Sequence, residues 1–240
     1  EMEGLSLGFE RVRAPLYAVL VMGGRGRAGS EAAMKYFFLS IVASALLLYG
    51  LSLLYGVAGT TRLAELATGL LTSGMAGLAP LGLLLVLAGL GFKIAAVPFH
   101  FYAPDVYQGT SNVNAGLLAV LPKAAGIAAM LRLAAVIAPA LAQSGWQLAL
   151  ILALATMTLG NICALWQQNI RRLLAYSSIA HTGYMLIGLT VGLAAAARIG
   201  GPGSEFFRDV SGAGLGAMLL YLAVYSLASL GTFAALAWLS

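Results

Sequence analysis

Charge is what this sequence has least of: 9% of its 240 residues are charged, against 61% that are hydrophobic, and its mean hydropathy is +0.93. A water-soluble domain of this length needs far more charge to solvate its surface. Cysteine is nearly absent as well, and Cys163 sits inside an apolar stretch, where a small buried hydrophobe is the plain reading. An iron-sulfur cluster needs about four thiolates and a zinc site about four ligands. With one Cys and two His, the chain is expected to hold no cluster, haem or metal. No Gly-rich fingerprint follows a strand pattern, so no nucleotide or other cofactor site is visible. The alternation of polar and apolar residues that marks a membrane β-barrel is also missing.

What is there are long apolar runs. Residues 36–56, 74–92, 173–197 and 210–240 are each long enough to span a bilayer core of about 30 Å, which takes roughly 20 helical residues. Helices and closed barrels alone can span lipid, so the fold class is all-α: a polytopic transmembrane helical bundle. Loop signals divide the chain into about seven helices, at 5–23, 31–56, 75–107, 112–137, 146–168, 169–195 and 211–239, in a single membrane domain covering 1–240. The turn at 23–27 separates the first two helices, 59–65 reads as a short amphipathic piece on the surface, and 200–204 reads as a linker. The chain begins at Glu1, has no signal-peptide pattern and ends within an apolar run, so it is expected to be a piece of something longer.

The net charge of +5 is read as topology and mechanism, with no nucleic acid implied. Alternate loops place Arg25, Arg27, Arg171 and Arg172 on one side and Arg62, Arg198 and Arg208 on the other, with the first side expected in the cytoplasm. Arg132, read as a snorkelling anchor near the end of its helix, would erase that margin if counted with the second side.

An ionisable group inside a span costs a few kcal/mol or more, so such groups face protein or water and are functional candidates. Glu10, Lys35, Lys93, His100, Lys123 and His181 qualify best. Lys93 and His100 stand seven residues apart, two helical turns along one face, with Pro98 between them. A proline inside a helix removes a backbone hydrogen bond, and a broken helix at membrane depth is tolerated where it lines a polar cavity. Lys before the break and His after it therefore look like parts of a proton or ion path, since both can exchange protons near neutrality. The plain alternative is a snorkelling Lys, a packing kink and a satisfied core His.

Lys123 falls near the middle of its span, where snorkelling is difficult. Glu10 could be the counter-charge of a lysine on a neighbouring helix, or could pair with Arg13 on its own. Lys35 is about one turn into its helix, after a possible Ser30 N-cap, so snorkelling competes with function. His181, beside Ser177, Ser178 and Thr182, fits a proton relay and a hydrogen-bonded core equally.

Two segments carry a family resemblance. One runs from Gly91-Phe92-Lys93 through Val97-Pro98-Phe99-His100 to Pro104-Asp105-Val106-Tyr107-Gln108-Gly109; the other runs from Asn169 to Tyr184 and includes Arg171-Arg172-Leu173-Leu174-Ala175-Tyr176-Ser177-Ser178. Both resemble the subunit N family of respiratory NADH-quinone oxidoreductase, complex I. The resemblance extends over nearly the whole chain: Gly8-Phe9-Glu10 with Pro15-Leu16-Tyr17 is similar to the family's glutamate helix, and Lys35-Tyr36-Phe37 follows at the expected distance. The segment Asp105 to Gly109 favours subunit N over its sister subunits L and M, and His181 is usually lacking in the plastid and cyanobacterial counterpart.

What the resemblance implies is an antiporter-like fold with a discontinuous helix, built as about fourteen helices in two inverted repeats. This chain would hold roughly the fifth to eleventh of them. It also implies a proton path through Glu10, Lys35, Lys93, His100, Lys123 and His181 in a bacterial inner membrane or another energy-transducing membrane. NADH, flavin, iron-sulfur clusters and quinone would be bound by partner subunits, and the other membrane-arm subunits and the bilayer would be its neighbours. Three departures stand out: Arg11 and Arg13 where the family is apolar or small, Tyr102 where it often has Trp, and 111–114 where a Pro-containing loop is usual. The arginines weaken the transfer of Glu10, and the second broken helix with its lysine is expected beyond Ser240. Competing readings are a cation/proton antiporter subunit of the Mrp type and a structural spacer whose charges serve helix packing.

Overall fold

The computed structural model describes residues 2–23, 26–72, 76–198 and 204–239. Helices α1 (Met2–Gly23), α2 (Gly26–Ala58), α3 (Leu63–Thr72), α4 (Ala79–Lys93), α5 (Tyr102–Gly109), α6 (Asn112–Leu165), α7 (Ile170–Ala196) and α8 (Ser204–Trp238) follow in chain order, with 3-10 turns at Ala76–Leu78 and Phe99–Phe101. No strand occurs among the described residues. Five segments are long and apolar enough to cross a bilayer: Gly29–Ala58, Asn112–Ala138, Ala140–Leu165, Ile170–Ala196 and Arg208–Trp238. The chain is thus a multi-pass helical membrane protein.

The expected helix at 75–107 is interrupted. Helical hydrogen bonding stops at Lys93 and resumes beyond Pro98, and Ala95 takes a positive φ of 57°. The break expected between Lys93 and His100 is there: Lys93 ends α4, and His100 lies in the 3-10 turn that leads into α5, so the two do not share the helical face that their seven-residue spacing implied. The short amphipathic element lies later than 59–65. It is α3, which buries Leu63, Leu66 and Leu70, while Thr60 and Arg62 hold Glu65 just inside its first turn. Those two hydrogen bonds, Arg62 first, pull the Glu65 carboxyl below its ordinary range.

The loop expected between 137 and 146 is absent. Helical hydrogen bonding continues through α6 for 54 residues, which laid straight would measure about 80 Å. A straight rod is ruled out by what α6 touches. Gly126 packs against Ile94, whereas Thr156 Oγ1 accepts the backbone N–H of Val97 at 3.1 Å. Ile94 and Val97 lie within about 11 Å of each other along the chain, so α6 doubles back and its two spans meet at Pro139. The two spans expected on either side are there; what differs is that helical turns, with Pro139 among them, carry the chain round in place of a loop.

Two ends of the bundle are distinct. At one, Arg171 donates to the carbonyls of Gln108 and Thr110, and Asn112 reaches the carbonyl of Leu236. At the other, the Met2 N–H meets Thr61 and Gly145 packs on Leu193. Arg27 and Arg172 belong to the first end, Arg62 and Arg198 to the second, as alternate loops predicted; Arg25 and 200–203 lie outside the described residues. Glycines set close helix approaches. A Cβ on Gly183 of α7 would fall 2.6 Å from the Met157 nitrogen of α6, and one on Gly160 would fall 2.7 Å from the Ala180 nitrogen. Small residues at such crossings let membrane helices pack backbone to backbone.

Candidate functional site

The interruption after Lys93 exposes backbone groups that a helix would have satisfied, and lipid offers them nothing. Three hydroxyls from three helices meet them. Tyr102 of α5 donates to the Phe92 carbonyl at 2.8 Å, Thr182 of α7 donates to the Ile94 carbonyl at 2.9 Å, and Thr156 of α6 accepts from Val97. Internal bonds from Ile94, Ala95 and Ala96 back to Leu90, Phe92 and Gly91 complete the turn. The break is a constructed feature, fastened to both α6 and α7.

Around it lie four of the six residues singled out above. Lys93 and His100 are buried at either side of the break, at 4% and 6% exposure. The His100 Nδ1 is buried without a hydrogen-bond partner of ordinary geometry among the described residues. Gly126 lets Lys93 and Ile94 approach α6 closely, one turn after Lys123.

Lys123 is 2% exposed and stands 12 residues into the 27-residue span Asn112–Ala138. Its Nζ donates to the carbonyl of Ser178 at 2.5 Å and to the Ser178 hydroxyl, and it lies 4.9 Å from the centre of the Tyr225 ring. No carboxylate forms an ion pair with it among the described residues. An ammonium so placed is held by dipoles and a ring face among the described residues.

Ser178 is the hub. Its hydroxyl receives Tyr225 at 2.7 Å and lies 3.2 Å from the Tyr107 hydroxyl, so α5, α6, α7 and α8 converge on one oxygen. One turn along α7, His181 shares its Nδ1 with the Tyr221 hydroxyl at 2.7 Å, and its ring lies 5.4 Å from that of Tyr225. A cavity of about 250 Å³ opens between α7 and α8, lined by Ser177, Ser178, His181, Tyr221, Tyr225 and Ser229 among others. That is room for several waters beside the hydroxyls.

The remaining two candidates lie elsewhere. Glu10 belongs to α1, but its side chain lies outside the described residues, as does that of Arg13. Lys35 of α2 is half exposed and ion-paired, 2.6 Å from Glu31 and 2.6 Å from Asp105. The other oxygen of Asp105 takes Arg172 of α7, also at 2.6 Å, and Arg172 reaches Gln108 and Gln167 as well. One carboxylate on α5 thus joins α2 to α7.

Sequence reasoning did not single out Ser178, Tyr225, Tyr107 or Asp105 as site residues. Ser178 and Tyr107 lie in the two quoted segments, where a hydroxyl in an apolar run was the available signal. Tyr225 had no signal beyond its polar tip.

Comparison with known proteins places these features in context. The family described as NADH:quinone oxidoreductase/Mrp antiporter, TM, matches residues 2–199. The NADH-quinone oxidoreductase subunit N of Rubrobacter xylanophilus is 40% identical over 233 residues, covering 97% of this chain and 45% of the relative. The protein of that function numbered subunit N 1 in Acidiphilium cryptum is 43% identical over 232 residues, covering 95% and 44%. The chain spans a little under half the length of these curated relatives. Among solved structures, a chain of respiratory complex I from Thermus thermophilus with bound Aureothin aligns with a TM-score of 0.67 at 29% identity, over 97% of this chain and 64% of that one. A chain of the Mrp complex from Dietzia sp. DQ12-45-1b aligns with a TM-score of 0.71 at 20% identity, over 97% and 55%, a likeness of fold alone.

Proposed function

The chain belongs to the NADH:quinone oxidoreductase/Mrp antiporter transmembrane family, and from that premise we propose that it forms part of a proton-translocating subunit N in the membrane arm of a bacterial NADH-quinone oxidoreductase. In this reading it acts within an enzyme complex of the inner membrane and carries no redox centre of its own. NADH, flavin, iron-sulfur clusters and quinone are bound by partner subunits, and the end bearing Arg27 and Arg171 faces the cytoplasm. Curated relatives near 40% identity named subunit N support this reading over an Mrp-type antiporter, for which the likeness is one of fold.

The observation that carries the proposal is Lys123: a lysine in mid-span, buried and held by Ser178 and the Tyr225 face with no ion-pairing carboxylate among the described residues. Neutral dipoles and a ring face hold the ammonium where a proton could be loaded and passed on. Lys93 and His100 at the break lead towards it, Glu10 and Lys35 supply charge on the α1 and α2 side, and His181 continues beside the cavity. Redox energy arrives as changes in the charge state of neighbouring buried groups.

The test is NADH-driven acidification of inverted membrane vesicles carrying Lys123→Ala, with NADH oxidation and assembly of the complex measured on the same membranes. Pumping and turnover are expected to fall together in an assembled complex. Unchanged pumping per NADH would leave the fold and family standing and remove the lysine from the path. Reduced assembly with unchanged pumping per electron in the complex that survives would favour the structural-spacer reading.

A further inference from the structure

Hydrogen-bond arithmetic at Ser178 has one solution while Lys123 is charged. A serine hydroxyl offers one proton and two acceptor sites, and an ammonium has no acceptor site at all. Lys123 Nζ and the Tyr225 hydroxyl both donate to Ser178 Oγ, which fills its two acceptor sites. The Ser178 proton must then point at the remaining neighbour, the Tyr107 hydroxyl 3.2 Å away. The order is Lys123 to Ser178 to Tyr107, and Tyr107 in turn lies within reach of Tyr225.

Once Nζ has given its proton to a base, the amine carries a lone pair. The nearest hydroxyl able to donate to it is Ser178. If the Ser178 proton turns to Lys123, the bond with Tyr107 is left without its donor, and the Tyr107 proton can turn to the vacated acceptor site. The Ser178–Tyr107 bond then runs the other way. Both moves are rotations of hydroxyls, so no proton is exchanged with Ser178 or Tyr107 and no heavy atom has to travel far. The surroundings favour such a two-state arrangement: Tyr107 is 3% exposed and does not line the cavity beside Ser178, so a missing partner there is costly.

We propose that the Ser178 hydroxyl is a reversing hydrogen-bond link that carries the charge state of Lys123 to Tyr107, and so to α5. Tyr107 lies two residues from Asp105, the carboxylate that holds Lys35 and Arg172. The second half of the broken helix is thereby wired to the buried lysine at Tyr107 and, two residues earlier and on another face, to the ion pairs at Asp105. Ser178 is a positioning residue here, and the inference rests on Lys123 changing charge as proposed above.

The experiment uses the intact complex in inverted vesicles and reads NADH-driven pumping against pH for Ser178→Ala, Ser178→Thr, Tyr107→Phe and the Ser178→Ala/Tyr107→Phe pair, with Lys123→Ala alongside. Ser178→Ala removes an acceptor that favours the charged lysine, so the alkaline limb should move to lower pH, by about 0.5–1 unit. Tyr107→Phe should move it the same way, the double variant no further than Ser178→Ala alone, and Ser178→Thr should restore it. An unmoved profile in assembled Ser178→Ala complex, or additive shifts in the pair, overturns the link while leaving Lys123 in place. If Ser178→Ala fails to assemble, Tyr107→Phe and Ser178→Thr decide by the same criteria. Wild-type pumping by Lys123→Ala removes the lysine from the path and the link with it.

Discussion

Thr182 and Ile94, 88 residues apart in sequence, are joined by a 2.9 Å hydrogen bond from the threonine hydroxyl to the isoleucine carbonyl. The same hydroxyl also lies 3.1 Å from the Ser178 carbonyl, a bond it could make within α7 alone. The bond to Ile94 is the one that reaches across to the interruption after α4.

Thr182→Val keeps the shape of the side chain and deletes this donor. The buried Ile94 carbonyl then loses a partner, at a cost of about 1–2 kcal/mol. The unfolding temperature of the purified complex should fall in Thr182→Val and stay near wild type in Thr182→Ser. Equal temperatures for the two would show that the bond contributes nothing.

Asp105 divides its oxygens between two cations, but unequally shielded ones. The Arg172 side chain is 30% exposed and that of Lys35 is 44%, and Lys35 also has Glu31. Double-mutant cycles on thermal stability should give a larger coupling for Asp105 with Arg172 than with Lys35, each within about 1 kcal/mol as partly solvated pairs allow. The Lys35 coupling should fall further with added salt. The reverse order would show that Glu31 does not compete.

Gly183 and Gly160 hold α6 and α7 at a spacing that admits no side chain. Gly183→Ala should lower the amount of assembled complex on native gels, because the atom it meets is the Met157 backbone, which cannot swing aside. Gly216→Ala on α8, where nothing lies within 4 Å, is the matched control and should assemble normally. Normal assembly of both would mean that the two helices can separate without loss.

How much of this was legible in the sequence depends on what each feature is made of. Three of the spans followed from the apolar runs at 36–56, 173–197 and 210–240, whereas the run at 74–92 forms the shorter helix α4; the interruption followed from Pro98 between two ionisable residues. Its limits did not follow, because the helix ends at Lys93 through a positive φ at Ala95, a residue type that gives no warning of one. The return near Pro139 was expected from the boundary between 112–137 and 146–168, but its form was not: helical turns carry the chain around where a loop was expected. Lys123 announced itself as a cation in an apolar run. Its partners did not, since Ser178 and Tyr225 stand 55 and 102 residues further on and resemble any hydroxyl in a membrane helix. The pairing of Lys35 with Asp105 spans 70 residues and two helices, a distance at which periodicity carries no information.

The hydroxyls of Tyr102, Thr156 and Thr182 leave the backbone at Phe92, Ile94 and Val97 with its needs met by protein. At those three groups the break has no thirst of its own. Water drawn towards this part of the bundle then answers to the ionisable side chains around it, so wetting can follow their charge and recede when that charge is gone.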